Sequence, residues 1–313
     1  MSLINHNISL ADKNWFKTGG SARFYAEPTT VQEFCDALIY ARNNSLEIFV
    51  LGEGANILIS DQGFDGLVIR PQLNQIDFDL NNTTVTAGAG VTIPQLINVC
   101  LDQHLSGLEE FSGIPGTVGG SVYINIHYYE FLLSNFLCNA QVIEKTTGII
   151  STVPPEWFKF GYNFSTLHEG NYYLVTATFK LKPLSELETA YARGRQKEII
   201  RHRNKRYPLE RTCGSFFRNF SKEEYTQAQE SAQVPYVAYY LDKVGIKGVL
   251  RCGKAVVSYL HANMIVTEPG ATTEDVLNLV RSMQNLVYKN FGILPQPECQ
   301  LIGFKTYPLT KTL

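Results

Sequence analysis

The alternation of apolar and polar residues predicts an α/β arrangement in the first hundred residues. Apolar residues at helical spacing run from Val31 to Asn44, and two short apolar runs follow as predicted strands around a glycine turn, Ile48 to Leu51 and Ile57 to Ser60. Alternation from Thr83 to Ala89 predicts a further strand, and helical spacing returns from Ile93 to Gln103. These elements belong to two small α/β lobes in our interpretation.

A stretch rich in β-branched residues, 140 to 182, predicts a strand meander that closes the second lobe. Turn residues divide the stretch into short segments. The strands are predicted at Gln141 to Glu144, Ile149 to Thr152 and Tyr172 to Lys182.

The charged stretch from Glu186 to Arg206 predicts a long helix and marks a change of domain. Helices are also predicted at Tyr239 to Val244 and Thr273 to Asn290, with strands between and after them. A chain of 313 residues is long enough for more than one core. We therefore predict one domain over 1–185, with lobes of about 1–70 and 71–185, and a second domain over 186–313.

Composition and charge exclude several classes of protein function. A net charge of -2 gives no general attraction to nucleic acid or to a membrane surface. Residues 1–14 lack the basic and apolar regions of a secretory signal, and no apolar run approaches the ~18 residues of a membrane span. The six cysteines are scattered without the spacing of a zinc site or a disulfide framework. The sequence predicts a cytoplasmic protein with reduced thiols, no metal, no nucleic-acid or membrane partner and no obligate protein partner.

Two glycine-rich turns predict an anion-binding site. The first turn, Leu51 to Asn56, follows a predicted strand, and the second, Gly113 to Gly120, holds four glycines and a proline. Glycine allows backbone N–H groups to approach a diphosphate without obstruction by a Cβ atom. The first turn leads into another strand, so a Rossmann nicotinamide site is not predicted. The candidate cofactor-binding residues of the turns are Gly52, Glu53, Gly54, Ala55, Asn56, Gly113, Ile114, Pro115, Gly116, Thr117, Gly119 and Gly120.

Several short sequence motifs occur in order along nearly the whole chain. They are NWFKTGGSARF from Asn14, LGEGAN from Leu51, LSGLE from Leu105 before GIPGTVGG, CGSFFRN from Cys213, VGIKG from Val244, HAN from His261, and Pro297-Glu298. Their order resembles the UDP-N-acetylenolpyruvoylglucosamine reductase family of peptidoglycan synthesis, in its shorter second type. The resemblance implies an α+β fold: a two-lobed FAD-binding domain of the vanillyl-alcohol-oxidase (PCMH) type and a C-terminal α+β substrate domain.

The resemblance also implies a reaction. NADPH reduces non-covalently bound FAD, which then reduces UDP-N-acetylglucosamine enolpyruvate to UDP-N-acetylmuramate. Ser215 matches the family's proton donor, and Glu298 matches its catalytic carboxylate. The resemblance places Asn125 and Arg218 at the cofactor, and Tyr162, Asn163 and Asn219 at the substrate. The preference for NADPH over NADH and the oligomeric state do not follow from the sequence.

The sequence differs from the family pattern in motifs near the candidate catalytic residues. Asn163 and Gln300 stand where the family has arginines, and the bulky residues His127, Tyr128 and Glu130 stand where it has small ones. Loss of one oriented oxyanion donor usually costs about 3–4 kcal/mol of transition-state stabilisation. Two alternatives therefore stay open: an FAD oxidoreductase of the same fold with a different substrate, and a catalytically impaired flavin-binding relative.

Basic residues concentrate between Arg193 and Arg211. Such a run is either a solvated helix face or a positive field for the diphosphate of a UDP-sugar or the 2′-phosphate of NADPH. Arg203, Arg206 and Arg251 are candidates for replacing the two family arginines.

Overall fold

The computed structural model describes residues 3–229 and 233–310. The chain divides into two compact units. The first unit combines Met1–His6, Phe24–Glu53 and Asp65–Arg203, and the second combines Asn7–Arg23, Gly54–Phe64 and Asn204–Leu313. Residues 1–2, 230–232 and 311–313, which the predicted domain limits include, lie outside the described residues.

The chain forms seven α-helices and eighteen strands within the described residues, with runs of consecutive strands between helices. The helices are α1 (Val31–Asn43), α2 (Ile93–Asp102), α3 (Val118–Ile124), α4 (Glu186–Arg206), α5 (Lys222–Tyr225), α6 (Val237–Lys243) and α7 (Thr273–Phe291). The strands are β1 (Asn5–Ser9), β2 (Ser21–Ala26), β3 (Ile48–Val50), β4 (Ile57–Ile59), β5 (Phe64–Ile69), β6 (Ile76–Asp79), β7 (Thr84–Gly88), β8 (Leu105–Ser106), β9 (His127–Tyr128), β10 (Phe131–Leu132), β11 (Leu137–Glu144), β12 (Ile150–Val153), β13 (Tyr172–Lys180), β14 (Lys182–Pro183), β15 (Arg251–Cys252), β16 (Ala255–Val257), β17 (Ile265–Thr267) and β18 (Gln300–Ile302).

The predicted meander supplies three strands of a five-stranded antiparallel sheet in the first unit, and β6 and β7 complete it. Its strand order is β12-β11-β13-β7-β6, and Ala140 lies opposite Ala177 in the central pair. Both residues are fully buried in a core that also receives α2 through Leu96 and Ile97. This core lies under the segment that carries the second glycine turn, since Phe111 and Val118 belong to it.

A second core in the first unit is built around α1. This helix begins with a capping box, in which the Thr30 hydroxyl accepts a hydrogen bond from the Glu33 N–H and the Glu33 carboxylate returns to the Thr30 N–H. Its buried face, with Phe34 and Leu38, packs against strands of the sheet ordered β1-β2-β5-β3. Strand β3 runs parallel to β5 and delivers the chain into the first glycine turn.

The second unit has a core of its own around α7. Strands β15, β16 and β17 form an antiparallel sheet, and α7 contributes Val280 and Met283 to the apolar cluster that this sheet covers. Strand β18 pairs in parallel with β4, so Gln300 lies opposite Ile57. The chain segments carrying Ser215 and Glu298 are held in this unit.

The predicted elements agree closely with the structure. Helix α4 has the predicted bounds, α1 and α2 end one residue earlier than predicted, and α7 ends one residue later. Helix α6 begins two residues before its predicted start. The contact division places α4 as far as Arg203 with the first unit. The predicted limits, 1–185 and 186–313, stay a prediction.

Within the described residues, the helices are all too short or too polar to cross a lipid bilayer.

Candidate active site

The two glycine turns contact each other in the first unit. The Glu53 carboxylate accepts a hydrogen bond from the Gly116 N–H at 2.7 Å. A Cβ atom at Gly52 would lie 2.8 Å from the Thr117 hydroxyl oxygen, so only glycine allows this approach of the turns. The sequence prediction that both turns serve one ligand therefore has a geometric basis.

Backbone N–H groups of these turns are available to a ligand. Among the residues that the structure describes, the N–H groups of Gly52, Glu53 and Gly113 donate to no protein acceptor. Gly113 and Gly116 have φ angles of +78° and +140°, which L side chains rarely adopt. Backbone N–H donors in glycine-rich turns are a usual means of holding a diphosphate.

The rest of the first turn belongs to the second unit. The Gly54 carbonyl accepts from the Trp15 N–H at 3.0 Å, and a Cβ atom at Gly54 would lie 2.7 Å from the Asn14 Cα atom. The Asn56 carbonyl, which follows Ala55, accepts from the Gln300 N–H at 3.0 Å. Hydrogen bonds to residues distant in sequence therefore hold both ends of the turn 52–56.

Asn125 ends helix α3 in the left-handed conformation, with φ of 49°. Its side chain is buried, and its amide oxygen accepts from the Ser134 N–H at 3.1 Å. The structure therefore shows Asn125 holding the segment after the β9–β10 hairpin, while its predicted contact with the cofactor stays a prediction.

Tyr162 and Asn163 lie in a tight turn closed by a backbone pair between Gly161 and Phe164. The Tyr162 ring is 54% exposed and lies 5.2 Å, centroid to centroid, from the ring of His127. Asn163 has φ of 52°, and its amide nitrogen is buried without an acceptor among the described residues. A buried amide donor of this kind is suited to an oxygen ligand.

His168 fixes this turn through ring stacking. Its ring lies between those of Tyr123, at 3.8 Å, and Phe164, at 5.1 Å. Burial lowers the pKa of His168 below its ordinary value, and burial also lowers the pKa of His127. Both imidazoles are therefore neutral near pH 7.

In the second unit, Ser215 and Glu298 lie on adjacent backbone segments. The Phe216 carbonyl accepts from the Glu298 N–H at 2.8 Å, and Phe217 pairs with Pro297. Ser215 itself pairs with Met264 on its other side. Both predicted catalytic side chains are half-buried.

Arg218 carries an ion pair that sequence reasoning missed. Its guanidinium donates two hydrogen bonds of 2.7 Å to the Glu224 carboxylate and a third, of 2.9 Å, to the carbonyl of the exposed Asn219. The guanidinium holds the pKa of Glu224 below its ordinary value. The Ser221-Lys-Glu-Glu224 pattern is a capping box that predicts where this carboxylate lies.

Comparison with known proteins identifies the family. Residues 22–153 match the model of an FAD binding domain, and residues 205–302 match that of the UDP-N-acetylenolpyruvoylglucosamine reductase C-terminal domain. A UDP-N-acetylenolpyruvoylglucosamine reductase of Synechococcus elongatus is 35% identical over 308 residues, which cover 97% of this chain and 96% of the relative. The chain belongs to the UDP-N-acetylenolpyruvoylglucosamine reductase family. The predicted family is confirmed.

Further comparisons agree with this membership. The corresponding enzyme of Trichormus variabilis is 34% identical over 290 residues, covering 92% of this chain and 83% of the relative. The solved structure of the Thermus caldophilus enzyme has 28% identity and a TM-score of 0.76, and the match covers 95% of this chain and 98% of that one. The predicted fold class and the predicted class of enzyme, an FAD-dependent reductase, are confirmed.

Three arginines of the basic helix α4 are paired with acidic side chains. Arg193 pairs with Asp102, Arg195 makes hydrogen bonds of 2.9 and 3.0 Å to Glu110, and Arg201 pairs with Glu198. At these three positions the contacts favour a solvated helix face over a free positive field.

The arginines considered as replacements for the missing family pair already have contacts. Arg251 makes hydrogen bonds of 2.8 and 3.2 Å to Glu268. Arg203 lies over the Tyr128 ring at 5.5 Å, and Arg206 lies over the ring of Tyr207 at 5.4 Å. The carboxylate pair argues against Arg251, whereas the ring contacts of Arg203 and Arg206 do not test the prediction for those two residues.

Proposed function

We propose that this chain reduces UDP-N-acetylglucosamine enolpyruvate to UDP-N-acetylmuramate, with Ser215 as proton donor and Glu298 as assisting acid. The reaction is the one for which its relatives are named. The observation that carries the residue assignment is the 2.8 Å hydrogen bond from the Glu298 N–H to the Phe216 carbonyl. It brings the backbones of the two candidate catalytic residues together, although 83 positions separate Ser215 from Glu298 in the sequence.

The glycine turns are suited to FAD. The N–H groups of Gly52, Glu53 and Gly113 would hold its diphosphate, and the Glu53–Gly116 hydrogen bond would keep the turns together. When bound, FAD takes a hydride from NADPH and passes it to the substrate double bond. The remaining candidate cofactor residues, among them Ile114, Pro115, Gly119 and Gly120, would line the same turns.

The protein's own side chains complete the reaction. The Ser215 hydroxyl donates a proton to the substrate carbon next to the carboxylate, and the Glu298 carboxyl donates a hydrogen bond to the developing enolate. The Asn163 amide, Tyr162 and Asn219 would contact the substrate, and Arg218 would lie at the cofactor. The unpartnered Asn163 nitrogen offers a neutral donor where the family has a cation.

A cytoplasmic location is part of this proposal, because both substrates are charged nucleotides made inside the cell.

A comparison of the two half-reactions tests the assignment of Ser215. Ser215→Ala should leave FAD reduction by NADPH unchanged and slow substrate-dependent reoxidation by about a hundredfold or more, because a positioned acid contributes ~10² to 10⁴ in rate. Ser282→Ala removes another half-buried serine hydroxyl, on α7, and is the matched control. Equal reoxidation rates for Ser215→Ala and wild type would show that another group donates the proton.

A further inference from the structure

The buried side chain of Asn263 forms hydrogen bonds with the backbone of the segment that carries Ser215. Asn263 is 3% exposed. Its amide oxygen accepts from the Phe217 N–H at 3.0 Å, and its amide nitrogen donates to the Phe217 carbonyl at 2.7 Å. Its main-chain carbonyl also accepts from the Phe216 N–H at 2.8 Å. One residue thus supplies three hydrogen bonds to two consecutive residues of this segment.

The segment Ser215–Phe217 lacks a continuous partner strand. It makes only isolated backbone pairs, Ser215 with Met264 and Phe217 with Pro297, among the described residues. On the side away from Asn263, the Phe216 carbonyl accepts from the N–H groups of Glu298, at 2.8 Å, and Cys299, at 3.2 Å. The Asn263 amide therefore supplies to Phe217 the hydrogen bonds that the backbone of a neighbouring β-strand would otherwise supply.

The peptide group that joins Phe216 to Phe217 bonds to the Asn263 side chain through its N–H and to the Glu298 N–H through its C=O. A shift of this peptide group would therefore move the backbone at both candidate catalytic residues. Phe217 is 1% exposed, and loss of the Asn263 amide would leave its N–H and C=O groups buried without partners. The segment would have to move to find new partners. A displacement of about 1 Å at a reacting group can lower the rate by about a hundredfold.

We propose that Asn263 is a positioning residue that sets the placement of Ser215 and Glu298, an inference that rests on the proposed function. Asn263 is buried and both groups of its amide bond to Phe217, so its role is to position the segment and not to bind the substrate. Its replacement should therefore lower kcat and leave KM for the substrate nearly unchanged.

The experiment uses the FAD-loaded enzyme and two substitutions. Asn263→Ala should slow substrate-dependent reoxidation by about ten- to a hundredfold and leave reduction by NADPH unchanged. Asn263→Asp keeps the acceptor for Phe217 but loses the donor while it is ionised. Burial raises the pKa of a carboxyl group, so its reoxidation rate should recover as the pH falls and the protonated oxygen can again donate.

Tyr240→Phe is the matched control in the same core. The Tyr240 hydroxyl donates to the Val234 carbonyl at 3.0 Å and accepts from the Val234 N–H at 3.2 Å, so these bonds hold a different segment. This variant should lose comparable stability and keep both half-reaction rates. Equal slowing of both half-reactions in Asn263→Ala, or an unchanged reoxidation rate, would overturn the proposal.

Amide hydrogen exchange gives a readout that does not depend on the substrate. Exchange at Phe217 should be faster in Asn263→Ala than in wild type, and unchanged in Tyr240→Phe. If wild type is not reoxidised by the UDP-enolpyruvyl substrate, the proposed function fails, and equal exchange at Phe217 would then separately overturn the role of Asn263.

Discussion

The Glu53 carboxylate accepts a hydrogen bond from the Gly116 N–H at 2.7 Å, across 63 positions of sequence. The first glycine turn thereby holds the second in place. A carboxylate that bonds to the protein in this way contributes to the shape of the site.

Glu53→Ala should weaken FAD binding by about ten- to a hundredfold, because hydrogen bonds to charged groups contribute about 1.5–3 kcal/mol. Glu53→Gln keeps a neutral acceptor for Gly116 and should lose less than about tenfold. Titration of the apoprotein with FAD, followed by flavin fluorescence, measures both effects. Unchanged affinity in Glu53→Ala would show that the hydrogen bond does not shape the site.

Gly52→Ala should weaken FAD binding and lower stability, because the added Cβ atom would lie 2.8 Å from the Thr117 hydroxyl oxygen. Gly194→Ala is its control, since a Cβ atom at this position in α4 meets nothing within 4 Å. Alanine is the better helix former, so Gly194→Ala should stabilise the protein by about 0.5–1 kcal/mol. Thermal unfolding of both variants, with and without FAD, checks this contrast. A Gly52→Ala protein with wild-type FAD affinity would contradict it.

The triple variant Arg193→Gln, Arg195→Gln and Arg201→Gln should change kcat/KM for NADPH by less than about threefold. Each of these arginines is paired with a carboxylate, and exposed pairs of this kind contribute little to long-range attraction or to stability. Steady-state kinetics at low and high salt measure the effect. A tenfold loss at low salt that disappears at high salt would instead assign phosphate attraction to α4.

Stability should fall as the pH drops from about 6.5 to about 4. Burial, together with Arg206 and Lys247, lowers the pKa of His261 to about 4, against a small opposing effect of Asp242. Between these pH values the His261 imidazole binds a proton in the unfolded chain but not in the folded protein, so acid favours unfolding. This group should lower the free energy of unfolding by about 3 kcal/mol.

Urea unfolding of wild type and His261→Gln between pH 7 and pH 4 checks this prediction. The variant should show a shallower loss of stability over that range. Below about pH 4.5 both proteins should lose further stability together, because carboxylates such as Glu224, whose pKa is lowered, begin to protonate. Identical slopes above pH 4.5 would contradict the assignment to His261.

Local elements could be predicted from the sequence where local chemistry defines them. The bounds of α1 follow from the Thr30 and Glu33 capping box and the apolar spacing, and those of α4 follow from a charged run after Pro183. The two glycine turns could be proposed as one site because their composition permits close backbone approach.

Long-range relationships could not be predicted in this way. The pairing of β4 with β18 joins Ile57 to Gln300, and no local pattern specifies which strand a short apolar run will join. The three hydrogen bonds of Asn263 to the Phe216–Phe217 backbone depend on the same kind of distant contact. Sequence reasoning could place Ser215 and Glu298 through family resemblance, but not the residue that holds their backbones.

Anaerobic single turnover tests the central claim most directly. The FAD-loaded wild-type protein is reduced with NADPH, and UDP-N-acetylglucosamine enolpyruvate is then added while the flavin absorbance is followed. We expect rapid reoxidation with formation of the lactyl ether, which would show that neutral donors such as Asn163 suffice in place of the family arginines. A reduced flavin that stays reduced after the substrate is added would contradict the account.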